Sequence, residues 1–247
     1  MDILYGRNPV LEALRSGRTA RKLVVAGGVQ PDVRIDEILR LASAANIPVE
    51  QRARRQLDDI AHSEHHQGVA GYFHSRPLLQ LDELIQRARD PALLLVLDGV
   101  QDPQNLGAIT RTAEACDVDG ILIARRGAAA LTPAVAKSSA GASEHVPFAV
   151  ANSIATALEV IGSHGVARVG LDARAATRFD AADYTQPLAV VLGAEGAGIR
   201  PPVRRACDQL VCLPMLGRIE SLNVGASAAV LLYEVQRQRR FRRREGR

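Results

Sequence analysis

Three short stretches of this 247-residue chain combine glycine with polar groups able to do chemistry. DGVQDPQNLG (98–107) supplies carboxylates and the Asn105 amide, and runs into a segment carrying Arg111. GAEGAG (193–198) sets Glu195 in a glycine-rich loop, and ESLN (220–223) adds the Ser221 hydroxyl and the Asn223 amide. A carboxylate can take a proton or orient a cation, while a guanidinium can hold a phosphate or stabilise developing negative charge. Each stretch also has an ordinary structural explanation. Asn105 and Asn223 make good helix N-caps, and Gly107 permits close packing. The three together, each leaving an apolar segment, point to an active site.

Familiar fingerprints are absent. There is no G-x-x-x-x-G-K-[ST] phosphate loop, and GAEGAG is G-x-x-G-x-G rather than the dinucleotide-binding G-x-G-x-x-G. No G-x-S-x-G elbow surrounds Ser221, which makes it a poor hydrolase nucleophile.

The elements that must position these residues read as an α/β chain. ALLLVLD (92–98), GILIA (120–124), His145–Ala149, Val166–Leu171, Leu188–Leu192 and Leu210–Leu213 are apolar strands. They alternate with helices over 108–116, Thr132–Gly141, Ile154–Ser163, Arg200–Ala206 and about 224–240, the pattern of a parallel sheet buried on both faces. Loops leaving the carboxyl ends of such strands are where ligands bind, and the three polar stretches would gather at one edge. Ahead of this, strands at Lys22–Ala26, Ile47–Glu50 and Gln67–Phe73 frame three helices: one that follows a short strand or turn within 3–16, one over Val33–Asn46 and one over Arg54–Ala61. In the second of these, Ile35, Ile38, Leu39 and Ala42 fall at helical spacing. The expected organisation is a small domain over 1–75, a linker over 76–90, a larger domain over 91–240 and a basic tail over 241–247.

The net charge of +4 conceals an asymmetry. Residues 237–247 hold seven Arg and one Glu, contributing +6, so the other 236 residues sum to −2. Such an end suits a polyanion such as RNA, or is a solvated terminus. No apolar run is long enough to span a membrane and no signal peptide precedes the first helix, so the expected location is cytoplasmic. Three cysteines without C-x-x-C spacing read as free, buried thiols. His62, His65, His66 and His74 cluster without the acid or thiol partners a metal usually needs, so no metal is expected and hydrogen-bonding histidines are the better reading.

Taken whole, DPQNLGAITRTAEACDVDGILI (102–123), VVLGAEGAGI (190–199) and LPMLGRIESLNVGASAAVLLYE (213–234) resemble, in order, motifs 1, 2 and 3 of the SpoU (TrmH-type) RNA 2′-O-ribose methyltransferases of the SPOUT superfamily. YGRNPVLEAL (5–14) and HHQGVAGYF (65–73) resemble the ribosomal-protein (L30e-like) RNA-binding domain that precedes the catalytic domain in the RlmB subfamily. Members of that subfamily methylate a guanosine ribose of 23S rRNA. The resemblance implies a deep trefoil knot in the C-terminal domain, a homodimer and S-adenosylmethionine as methyl donor. It assigns donor binding to Leu192, Gly193, Gly198, Leu213, Met215 and Leu222. It assigns the catalytic set to Asn105, Arg111, Glu195, Ser221 and Asn223. Within that set Arg111, permanently protonated, suits phosphate binding and charge stabilisation better than proton removal. Glu195 either orients Arg111 or accepts the proton. One departure stands out: Gly-Ala-Ser follows at 225–227, where relatives often carry Ser-Val-Ala, a change expected to alter helix packing. A tRNA or another rRNA site is the alternative substrate, and a noncatalytic RNA-binding factor is the alternative of another class.

Overall fold

The computed structural model describes residues 1–129 and 131–245, with side chains through Arg239. The chain forms two compact units, one of Met1–Pro77 with Ala130–His145 and one of Leu78–Ala129 with Val146–Arg247. No described helix is long and apolar enough to cross a membrane.

The first unit is built on a four-stranded sheet, β1 (Asp2–Tyr5), β2 (Ala20–Ala26), β3 (Val49–Arg52) and β4 (Val69–Phe73), in the order β1-β4-β2-β3. β2 pairs in parallel with β3 and antiparallel with β4. Strand alternation divides its side chains between two faces. Leu23 and Val25 meet α1 (Arg7–Arg15) and α2 (Val33–Ala44) in a core with Val10, Leu11, Ile35, Ile38 and Phe73. Val24 and Ala26 meet Leu57 of α3 (Arg54–Ala61) on the other side. Leu39, expected on the buried stripe of α2, is 39% exposed, because the stripe follows Ile35, Ile38 and Ala42 and leaves Leu39 to one side.

The structure places residues 130–145 in this unit, although they fall inside the segment expected to form the larger domain. Ala136, on helix α6 (Pro133–Ser138), joins the first unit's core. Arg18, only 9% exposed in its side chain, donates two 3.0 Å hydrogen bonds to buried Glu144 and also pairs with Asp2. Residues 78–90, expected as a linker, carry α4 (Leu81–Arg87), whose Leu84 is fully buried in the second unit.

The second unit is a seven-stranded, wholly parallel sheet in the order β7-β6-β5-β10-β8-β11-β9. Its strands are β5 (Leu93–Asp98), β6 (Gly120–Ala124), β7 (Phe148–Ala151), β8 (Ala167–Leu171), β9 (Thr177–Arg178), β10 (Leu188–Gly193) and β11 (Gln209–Cys212). Helices α4, α7 (Ile154–Ser163) and α8 (Pro201–Arg205) cover one face over Leu94, Val96, Leu122 and Val191. On β5 this leaves the equally buried Leu93, Leu95 and Leu97 for the opposite side. There α5 (Pro103–Ala115) packs against α9 (Val224–Glu245), and α9 also meets β10. Burial on both faces explains why the central strands are continuous apolar runs. The two-residue β9 has no such run and left no trace in the sequence pattern. The backbone of α9 continues five residues beyond its expected end at 240. The side chains of the basic tail at 241–247 lie outside the described residues.

Candidate active site

Parallel pairing sets the site. β10 lies beside β5 with Gly193 opposite Asp98, and beside β8 with Val191 opposite Gly170. The loops after Asp98, Leu171, Gly193 and Cys212 therefore leave one edge of the sheet. A ligand-sized concavity opens there, lined by all six residues of the expected donor set: Leu192, Gly193, Gly198, Leu213, Met215 and Leu222. Glu195, Glu220 and Ser221 line it too. Its lining includes two carboxylates and no Lys, Arg or His.

Backbone packing fixes the loop after β10. A Cβ at Gly193 would lie 2.0–2.2 Å from the backbone of Gly198 and Ile199, so only glycine lets the loop fold back on its strand. Ala194 and Gly198 close it with reciprocal backbone hydrogen bonds of 3.1 and 2.8 Å. Beyond the loop, Asp98 is fully buried and accepts from the Arg200 backbone N–H at 2.8 Å and from its guanidinium Nε at 2.7 Å. That clamp was not foreseen, although a lone carboxylate ending a wholly apolar strand is the signal that could have found it.

Three members of the expected catalytic set form one hydrogen-bonded chain. Asn223 caps α9: its Oδ1 accepts from the backbone N–H of Gly225 at 2.9 Å and of Ala226 at 3.3 Å. This leaves the Asn223 Nδ2 as donor, and it donates to Asn105 Oδ1 at 2.8 Å. Asn105 Nδ2 in turn donates to Glu195 Oε2 at 2.8 Å. The orphan N–H groups of the helix thus dictate the orientation of both amides, and they require Glu195 to accept. Asn105 itself is not an N-cap. Asp102 caps α5, accepting from Gln104 N at 3.0 Å and Asn105 N at 3.4 Å, and frees the Asn105 side chain for the site.

Ser221 lines the cavity without a hydrogen bond among the described residues. Arg111 is not brought to the cavity lining. It sits exposed on α5, with no ion pair among the described residues, and Glu195 is held by Asn105 instead. The departure at Gly225 has a local cause: a Cβ there would stand 3.1 Å from Asn223 Oδ1 and 3.2 Å from Ala108 Cβ. Glycine lets α9 approach α5 without disturbing the cap.

Two other expectations are answered. Cys116 is buried, but Cys207 and Cys212, expected to be buried as well, are only half-buried; partial burial still pushes the Cys207 thiol up to about 11, which disfavours the reactive thiolate there. His66 is fully buried; its Nδ1 accepts from Gly68 N at 2.9 Å, so Nε2 carries the proton and donates to Asp58 Oδ1 at 3.0 Å.

Comparison with known proteins agrees with this architecture. Residues 92–233 match the model of the SpoU rRNA methylase family, and residues 3–78 match a model described as RNA 2′-O ribose methyltransferase substrate binding. An uncharacterized tRNA/rRNA methyltransferase of Mycobacterium leprae is 41% identical over 242 residues, covering 97% of this chain and 78% of that protein. The crystal structure of the SpoU methyltransferase AviRb from Streptomyces viridochromogenes superposes with a TM-score of 0.82 at 26% identity, covering 96% of this chain and 89% of that one. AviRb in complex with the cofactor AdoMet matches with a TM-score of 0.81 at 26% identity, over 96% and 90% of the two chains. A two-unit chain with a parallel sheet, a glycine-folded loop and a joined Asn223–Asn105–Glu195 chain thus belongs to the SpoU rRNA methylase family, with that family's substrate-binding domain at its N-terminal end.

Proposed function

We propose that this protein transfers a methyl group from S-adenosylmethionine to a ribose 2′-hydroxyl of RNA, at a guanosine of 23S rRNA, during ribosome maturation in the cytoplasm. The observation that carries the reading is the hydrogen-bonded Asn223–Asn105–Glu195 chain beside the cavity. The lining suits the donor. Leu192, Leu213, Met215 and Leu222 offer apolar surface for adenine, and a side chain at Gly198 would meet no protein atom within 4 Å, leaving room for close approach to the backbone. A lining with two carboxylates and, among the described residues, no Lys, Arg or His favours a ligand bearing sulfonium and ammonium charges.

When bound, the donor supplies an electrophilic methyl group. The protein's task is to place a ribose oxygen in line with it and to manage one proton. A 2′-hydroxyl is a poor nucleophile until that proton begins to leave. Glu195 is the group placed to take it: Asn105 holds Oε2, and Oε1 accepts no protein hydrogen bond among the described residues. The amide chain holds the loop beside the ribose, and the Ser221 hydroxyl, without a protein hydrogen bond among the described residues, is left to position the substrate. Arg111, exposed and without an ion pair among the described residues, holds the adjoining phosphate as a bidentate donor. Exposed Val230 and Tyr233 on α9, with Leu216 and Ile219 in the preceding loop, offer apolar surface for the homodimer, and the deep trefoil knot belongs to the same reading.

The test is transfer from radiolabelled donor to unmodified total RNA by purified protein, with the labelled nucleoside mapped. Label in 2′-O-methylguanosine of 23S rRNA is the expected result. Label in tRNA would keep the chemistry and overturn the substrate, and failure to bind the donor would overturn the reading.

A further inference from the structure

Each unit carries a concavity, and the two differ in character. The first unit's is a cleft of about 630 Å³, lined by Arg7, Arg34 and Arg54 against the carboxylate of Asp32. It lies within the matched substrate-binding domain, where charge of this sign suits RNA. The second unit's concavity is graded from a wet rim to a dry end. Glu195, Glu220 and Ser221 are exposed, whereas Leu192, Gly193, Val224 and Ser227 are buried. Among the described lining residues, Ser227 is the one buried polar side chain.

The helix explains where Ser227 sits. Val224, Ser227, Ala228, Leu231 and Val235 recur with helical periodicity and form the buried stripe of α9. Ser227 lies on that stripe one turn beyond the Asn223 cap, and it is the third residue of the Gly-Ala-Ser departure. A hydroxyl only 8% exposed on such a stripe ordinarily has a protein partner. Thr110 on α5, fully buried, finds one by donating to the Leu106 carbonyl at 2.7 Å. Ser227 does not. Its backbone N–H donates to the Asn223 carbonyl at 2.9 Å, but its side chain makes no hydrogen bond among the described residues. No described side-chain oxygen or nitrogen that is closed off on all sides lacks a partner, so the Ser227 Oγ opens onto the cavity that it lines.

We propose that Ser227 is a further donor-binding residue, whose hydroxyl hydrogen-bonds the edge of the adenine base. The inference rests on S-adenosylmethionine being the donor. Charge sets the direction in which that molecule lies. Its sulfonium and ammonium belong with Glu195 and Glu220 at the rim, which leaves the uncharged base for the apolar end. There Leu192 and Val224 can cover the faces of the ring but cannot satisfy its edge, where ring nitrogens accept and an amino group donates. A hydroxyl can meet either, since it is both donor and acceptor on a rotatable bond. Away from water the pairing also disfavours a base whose edge does not match, because a buried hydroxyl would be left unsatisfied.

The experiment measures binding of S-adenosylmethionine and of its product S-adenosylhomocysteine to the full chain by calorimetry, with thermal unfolding of the unliganded protein alongside. Ser227→Ala should weaken both ligands alike, by about fivefold, as loss of one neutral hydrogen bond does. The unliganded variant should unfold no earlier than the wild type, because alanine is the better helix former and no protein hydrogen bond is lost. Product analogues then locate the contact: deaza forms that each lack a different ring nitrogen, and S-inosylhomocysteine, which lacks the amino group. The variant's deficit should disappear only where the partner atom is altered, and persist with the other analogues. Equal affinities of wild type and variant would overturn the proposal and leave the methyl-transfer reading intact. So would a deficit that persists undiminished across every base analogue, since the hydroxyl would then meet another part of the donor. A wild type that binds neither ligand would instead overturn the methyl-transfer reading, and this inference with it.

Discussion

The two concavities teach opposite lessons about how charge is used. In the second unit the polar groups are tied to one another: Asn223, Asn105 and Glu195 share two 2.8 Å hydrogen bonds, and Asp98 is locked to Arg200. In the first unit the cleft-lining Arg34 and Arg54 have no ion pair among the described residues. Chemistry at a single oxygen requires atoms held in place, so its groups are spent on each other as much as on the ligand. Recognition of a repeating backbone requires only charge within reach.

This contrast can be broken most severely at Glu195. Glu195→Gln keeps the shape and an acceptor for Asn105 but removes the proton acceptor, so methyl transfer should fall by about 10²–10⁴-fold. Rates at saturating RNA and donor would show it, while the unfolding temperature should hold. Release of the buried clamp comes next. Asp98→Ala leaves the Arg200 N–H unpartnered and should lower stability by roughly 1–3 kcal/mol in denaturant titration. Donor binding should weaken with it, because the loop over 194–200 loses its tether.

Asn223→Ala removes a helix cap and the origin of the amide chain at once. A stability loss of about 1 kcal/mol is expected from the cap. If a turnover loss accompanies it and Asn223→Asp rescues stability but not turnover, the amide's donor to Asn105 is what matters. Glu220→Gln sharpens the charge argument. It should weaken binding of the cationic donor roughly threefold, as an exposed charge does, without affecting the uncharged-sulfur product. Equal weakening of both would mean that charge is not what the carboxylate contributes.

The smallest effect lies in the cleft's own carboxylate. The Ile35 backbone N–H, and then the Arg7 side chain, hold Asp32 below the usual carboxylate range. A depressed carboxylate contributes stability that is present above its unfolded pKa and is lost as pH falls through the folded value. Acid unfolding of Asp32→Asn should therefore depend less steeply on pH below about 4 than that of the wild type.

Much of this was legible in the sequence because it depends on local or repeating signals. The parallel strands announce themselves as apolar runs, and α7 falls at its expected limits because its Ser153 cap and its periodicity coincide, while α3 does so without a side-chain N-cap. The chemistry-bearing residues were legible as types in glycine-rich company. What the sequence could not convey is pairing at a distance. Nothing in the words DPQN and SLNV says that Asp102, not Asn105, caps α5, or that this frees Asn105 to receive Asn223 from 118 residues away. Arg111 shows the converse, since a motif position does not tell which way a helix turns it. Leu39 likewise satisfied the spacing and still faces out.

The segment 130–145 gives the molecule a particular history each time it is made. The first 77 residues leave the ribosome with most of their core, but without Ala136 to fill it and with Arg18 still lacking Glu144, 126 residues downstream. Synthesis proceeds from the N-terminus, so a nascent first unit must wait through four further elements before it can close. For the same reason a cut at residue 78 would not release a finished module. The two units interleave along the polypeptide, and no single break separates them.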